Sequence, residues 1–115
     1  MATTNYEVMK RYMGGKEKFY PDPNDTTNYI ELEPIYADKA AEIFFLMSRF
    51  EGATEKTLGQ AMTKEVADVV NELLSYSVRK AVPDASEEEV KSFVNRYYFQ
   101  LFQKIMEMNV PAKAK

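Results

Sequence analysis

Residues Ser86–Asn109 read SEEEVKSFVNRYYFQLFQKIMEMN. Ser86 and Glu89 stand in the S-x-x-E spacing of a capping box, where a hydroxyl and a carboxylate reciprocally satisfy orphan backbone donors. The carboxylates Glu87–Glu89 also suit the positive end of a helix dipole. Beyond the cap, Val90, Val94, Tyr97, Leu101, Ile105 and Met108 recur at helical spacing on one face, flanked by Phe93 and Tyr98. Phe99, Phe102 and Met106 fall on nearly the opposite side, and Glu89, Ser92, Arg96, Gln100, Gln103 and Glu107 fill the narrow arc between. A helix apolar over most of its circumference is buried on more than one side. The expectation is one long helix that packs on its own chain through one face and on another polypeptide through the other.

Working outward, a chain of 115 residues with 45% hydrophobic content suits a single folded domain with a core of its own. The net charge of −3 gives no electrostatic reason to expect nucleic-acid binding. No apolar run has the length of a membrane span, and MATTNYEVMKRY lacks the apolar centre of a signal peptide, so a cytoplasmic site of action is expected. The chain has no Cys and no His. That removes disulfides, thiolate nucleophiles and zinc–sulfur sites, together with the commonest general base and metal ligand. Carboxylates, Lys, Tyr, Ser and Thr remain, and they favour a binding protein over an enzyme, with no cofactor or metal.

Immediately upstream, Thr63 caps a helix reaching about Val82, with Val66, Val70, Leu73, Ser77 and Ala81 inside and Val69, Leu74 and Val78 beside them. Pro83-Asp84 forces a turn. A link this short makes the two long helices antiparallel neighbours. Further upstream, Asp38–Phe50 is a helix whose main apolar face is Ala40, Ile43, Phe44, Met47 and Phe50, with Leu46 at its margin. Phe45 points off that face, towards Asp38 and Arg49, and Gly52 closes the helix. Thr54–Met62 is a short helix, capped by Thr54, with Leu58 and Met62 facing in, and it is weakened by Gly59.

Tyr29–Glu33, YIELE, alternates as a half-buried strand and stops at Pro34. Its partner is either Lys18–Tyr20 in a hairpin or an edge from another subunit. Residues 16–28, with two prolines, two asparagines and two aspartates, read as turn. Asp22, Asn24, Thr26 and Glu33 match places in a calcium loop, but Thr27 stands where that loop needs glycine, so turn chemistry is the better reading. Asn5–Met13 is a short helix capped by Asn5, with Tyr6, Met9, Tyr12 and Met13 on one side. Gly14-Gly15 ends it; the GGK that follows lacks the remaining residues of a phosphate loop.

The sequence thus divides into a helix-and-loop region at 1–28, within the same domain or flexible, a helical domain at 29–109 and a disordered tail at 110–115. The fold class is mainly α, a small helical domain with a short N-terminal strand or hairpin. Most of the Phe, Tyr and Met residues pack in the core. Phe45, Phe99, Phe102 and Met106 lie off the main faces and, with Tyr98, make a surface suited to self-association or to holding a partner's helix. Aromatic and Met side chains are enriched at interfaces, and Met adapts to varied partners.

The order of YIELEPI, ADKAAEIFFLMSRFEG, SYSVRKAVPDASEEEV and FVNRYYFQLFQKIMEMN resembles the tail assembly chaperones of long-tailed bacteriophages and related viruses. In that family a polar-Leu-x-Pro-Leu/Ile segment precedes the first helix. A helix–Pro-Asp turn precedes a last helix ending in Phe-x-x-Ile-x-x-x-Asn. The matching positions are Ile30, Leu32, Pro34 and Ile35; Pro83 and Asp84; and Phe102, Ile105 and Asn109. The likeness covers residues 29–109, and residues 1–28 have no counterpart in it. The resemblance implies a non-enzymatic protein, present in the host cytoplasm and absent from the mature virion. It would bind tape measure protein and tail tube protein before the tail polymerises, with homo-oligomers possible. Alternatives from other classes are a structural virion component such as a head-to-tail connector, and a small helical adaptor or regulator.

Overall fold

The computed structural model describes residues 4–12, 15–54 and 57–109, the side chain of Leu58 apart. Among them the elements run α1 (Asn5–Tyr12), β1 (Glu17–Phe19), β2 (Ile30–Leu32), α2 (Ala40–Phe50), α3 (Leu58–Ala61), α4 (Lys64–Ala81), α5 (Glu87–Arg96) and α6 (Tyr98–Asn109). The fold is mainly helical, with one antiparallel hairpin near the N-terminus.

Helix α4 is the centre of the packing, with α2, β2, α5 and α6 arranged around it. Thr63 starts it, its hydroxyl accepting from the Val66 N–H at 3.3 Å. Val66, Val70, Leu73, Leu74, Ser77 and Val78 are buried as the periodicity requires, while Ala81 is half-buried. Each large aliphatic group fully withdrawn from water contributes about 1.5–3 kcal/mol. The Ser77 hydroxyl is the exception on this face, buried with no hydrogen-bond partner among the described residues.

The strand partner is within the chain: β1 pairs β2 antiparallel, with Glu17 opposite Leu32, Lys18 opposite Glu31 and Phe19 opposite Ile30. Phe19 and Leu32 point into the core, and Lys18 and Glu31 place opposite charges across the strands outside. The connecting turn uses its own carboxylates. Asp22 accepts from the Asn24 N–H at 2.9 Å, and Asp25 accepts from the Thr27 N–H at 3.0 Å and from Asn28 Nδ2 at 2.7 Å. With the Thr27 hydroxyl as the largest cause, these donors hold the Asp25 carboxyl below its usual range.

Several expected boundaries move. Thr4, not Asn5, caps α1, its hydroxyl accepting from the Glu7 N–H at 3.1 Å. Helix α2 begins at Ala40 rather than Asp38, because the Asp38 and Lys39 N–H groups both turn back to the Ile35 carbonyl, at 3.1 and 2.9 Å. Gly52 follows it with φ +75°, a conformation that glycine adopts without a Cβ penalty. The short helix expected over Thr54–Met62 is reduced to Leu58–Ala61; Thr54 donates its N–H to the Thr57 hydroxyl at 2.8 Å instead of capping. The expected positions of Met13, of the Leu58 side chain and of the 110–115 tail lie outside the described residues.

The largest change concerns the long C-terminal helix, which is two helices. The Ser86–Glu89 capping box forms as read, with both reciprocal bonds present at 2.8 and 3.1 Å. The helix then breaks at Tyr97, at φ −113° and ψ 30°, before α6 resumes. Three consecutive rings crowd this turn. Tyr97 joins Phe93 (centroids 4.9 Å) and Phe19 (6.3 Å) in an aromatic cluster, Tyr98 is half-buried, and Phe99 goes to solvent. Both helices pack along α4 and run back antiparallel to it, closing the core with Val90, Val94, Leu101 and Ile105.

Candidate functional site

The residues expected to bind a partner separate into two kinds. Phe99 is 70% exposed, its ring edge against Tyr98 at 5.4 Å between centroids. Tyr98, Phe102 and Met106 are half-buried against the core, with Phe102 tilted onto Phe50 of α2 at 5.7 Å. Burial pushes the Tyr98 phenol up from its ordinary pKa. The end of α2 therefore covers part of the second seam of α6, and Phe99 marks where that cover stops. Phe45, on α2, is also half-buried, with the Arg49 guanidinium 5.0 Å from its ring centre.

Helix α2 is rotated from the expected orientation. Ile43 and Leu46 are its fully buried residues, and Phe44, placed on the inner face by its spacing, is 55% exposed. Its ring meets the edge of Tyr36 at 5.7 Å. The helix packs along Ile43–Leu46 against α4, and the arc centred there leaves Phe44 outside. An amphipathic arc wider than its contact surface allows either rotation, and packing selects one.

At the entry to α2 lies a polar and aromatic cluster that spacing along the sequence did not suggest. Asp38 Oδ2 accepts from Lys80 Nζ at 3.0 Å and from the Tyr76 hydroxyl at 2.8 Å. Lys39 Nζ reaches Glu72 at 3.1 Å and lies 4.8 Å from the centre of the Tyr76 ring. The Lys80 ammonium and then the Tyr76 hydroxyl hold the Asp38 carboxyl below its ordinary range. The same hydrogen bond raises Tyr76, and the carboxylate partners Glu72 and Asp38 raise Lys39 and Lys80. Every member already has a partner, so the cluster reads as an exposed brace between α2 and α4.

A groove of about 350 Å³ runs between β2, the end of α4 and the start of α5. Ile30, Val78, Val82, Ala85, Val90 and Phe93 make it apolar, and Asp84 and Glu89 stand at its edge without a basic side chain among the lining residues. Helix α1 shows the converse. It has no buried residue, and Tyr6, Val8, Met9 and Tyr12 are all exposed. Among the described residues no group of three or more His, Cys, Asp or Glu is placed to hold a metal ion. No described helix is long and apolar enough to cross a membrane.

Comparison of the chain with protein-family models, with curated proteins and with solved structures gives no match in any of the three.

Proposed function

We propose that this chain is a non-enzymatic assembly chaperone for a viral tail. It binds tape measure protein or tail tube subunits in the host cytoplasm through the Tyr98–Phe99–Phe102–Met106 seam, before the tail polymerises, and is absent from the finished particle. The observation that carries the reading is the exposed Phe99 ring at the open end of a half-covered aromatic and Met seam. A large apolar side chain at the margin of such a seam is the arrangement that takes a partner's apolar helix. The segments behind the family resemblance add support, because Ile35 of the first and Asn109 of the last are hydrogen-bonded to each other. The partner assignment comes from the resemblance, and the binding surface from the side chains.

Co-expression of a tape measure protein with this chain tests the reading. The chain is expected to keep the tape measure protein soluble, and Phe99→Asp to abolish that effect while Gln103→Asp leaves it intact. Lys104 is a poor control on the same helix, since its ammonium is tied to Glu17 at 3.0 Å. Equal solubility with and without the chain would overturn the proposal. Recovery of the chain in purified particles would favour a structural virion component instead.

A further inference from the structure

We infer that α1 is an exchanged arm. It seats its Tyr6–Met9–Tyr12 face in the α4–α5 groove of a second copy of this chain, and the second copy returns the same contact. This goes beyond the tail-assembly reading and does not depend on it.

The first argument is the state of α1. At about 100° per residue, Tyr6, Val8, Met9 and Tyr12 cover an arc of about 160°, and Glu7, Lys10 and Arg11 occupy the other side. All four apolar side chains are exposed, and the helix contributes no residue to the core of its own chain. An eight-residue helix gains too little from its own hydrogen bonds to persist in water, so helices of this length depend on packing of the apolar face. A surface that accepts this face is therefore required.

The second argument is complementarity. Residues 1–16 carry three basic side chains and one acidic, so they stand at +2 in a chain of net −3, which leaves the remainder at −5. Lys10 and Arg11 border the apolar arc, the positions from which they can meet charges at a groove's edge while their stems lie along it. The groove between β2, α4 and α5 has an apolar floor, including Val78, Val90 and Phe93, and its two charged lining residues are the carboxylates Asp84 and Glu89. Glu87 and Glu88 extend the same sign along the first turn of α5. Arm and groove thus match in both hydropathy and sign.

The third argument is stoichiometry and area. A second copy supplies one arm and one groove, so a two-fold exchange leaves neither unoccupied. Four such side chains bury on the order of 500 Å². Two arms and the two grooves receiving them together come to about 1,200 Å², the lower end of the range for a specific, stable interface.

The full-length chain carries the test. Light scattering after size exclusion is expected to give a dimer at tens of micromolar. Met9→Asp with Tyr12→Asp should give a monomer whose domain stays folded and which loses no more helical signal than α1 contributes, since neither residue touches the core. Lys10→Glu with Arg11→Glu should raise the dimer Kd by about tenfold or more, and adding Asp84→Lys should recover part of the loss. The absence of Cys makes a second measurement clean. A mixture of Met9→Cys chains and Val82→Cys chains is expected to form a disulfide heterodimer under mild oxidation, on non-reducing electrophoresis. A wild-type monomer would overturn the inference. So would a dimer that survives Met9→Asp with Tyr12→Asp, or a double Met9→Cys/Val82→Cys chain that crosslinks only within itself and thereby places the arm in its own groove.

Discussion

Asn109 is joined to Ile35 across the whole domain. Its Oδ1 accepts the Ile35 N–H at 2.7 Å, and its Nδ2 donates to the Ile105 carbonyl at 2.7 Å. The side chain is buried, so both bonds form away from water. Asn109→Ala leaves the Ile35 N–H without an acceptor, and the unmet donor should cost about 2 kcal/mol. Asn109→Asp keeps the acceptor and loses the donor, so it should not restore wild-type stability. Urea unfolding of the three proteins checks both statements, and an Asn109→Ala midpoint equal to wild type would remove the clamp from the account.

Ser77→Ala should act in the opposite direction. The hydroxyl is buried in α4 with no partner among the described residues, so the folded state carries its desolvation cost with no compensating bond. Removing it is expected to stabilise the domain by about 1 kcal/mol. Thermal unfolding followed by circular dichroism would show the higher Tm.

The two sides of the C-terminal helices should respond differently to charge. Leu101→Ala removes a fully buried side chain and should cost about 3 kcal/mol. Val94→Asp or Leu101→Asp should unfold the domain, because each strands a carboxylate among aliphatic neighbours. Phe99→Asp should change stability by less than about 0.5 kcal/mol. Circular dichroism spectra of the purified variants separate these outcomes.

Stability should fall in acid. The Asp38, Asp25 and Glu89 carboxyls all lie below their ordinary values of 3.8, 3.8 and 4.5 in the folded protein. A depressed carboxylate stabilises the fold at pH above its unfolded pKa, and that contribution is lost as pH falls through the folded value. Unfolding midpoints should therefore be level near neutrality and decline below about pH 4. Asp38→Asn should flatten that decline. At the other end, Lys39 and Lys80 lie above 10.5, so their contribution is complete below that pH and disappears as pH rises through the folded values.

Ser86→Ala tests the capping box. It removes the acceptor for the Glu89 N–H and should cost about 1 kcal/mol. Its acid decline should be only slightly shallower, because the Ser86 backbone N–H, the larger cause of the depressed Glu89 carboxyl, is kept by alanine and only the smaller side-chain contribution is lost.

What the sequence made legible was local. The Ser86–Glu89 box, the Thr63 cap and the inner face of α4 depend on spacings of three and four residues, and all three stand in the structure. The hairpin partner was one of two options left open, because unpaired strand edges do not identify what pairs with them. The break at Tyr97 was invisible to periodicity, since the apolar positions before and after it continue one template. Phe44 and Leu46 exchanged places because both fit the same wide arc, and only contact with α4 distinguishes them. Of the five side chains read as a binding surface, spacing could identify those lying off the main face. It could not show that Phe50 would lie over Phe102 and leave Phe99 outside. The groove beside α5 was unreadable for the same reason, being made by three elements that meet only on folding.

The bond between Ile35 and Asn109 spans 74 positions. During synthesis on a ribosome the hairpin and α2 emerge long before the residue that secures the segment between them. The Ile35 amide must then remain hydrated until the whole of α6 has left the exit tunnel, so the final docking of this domain is an event that follows translation of Asn109 rather than one that accompanies it.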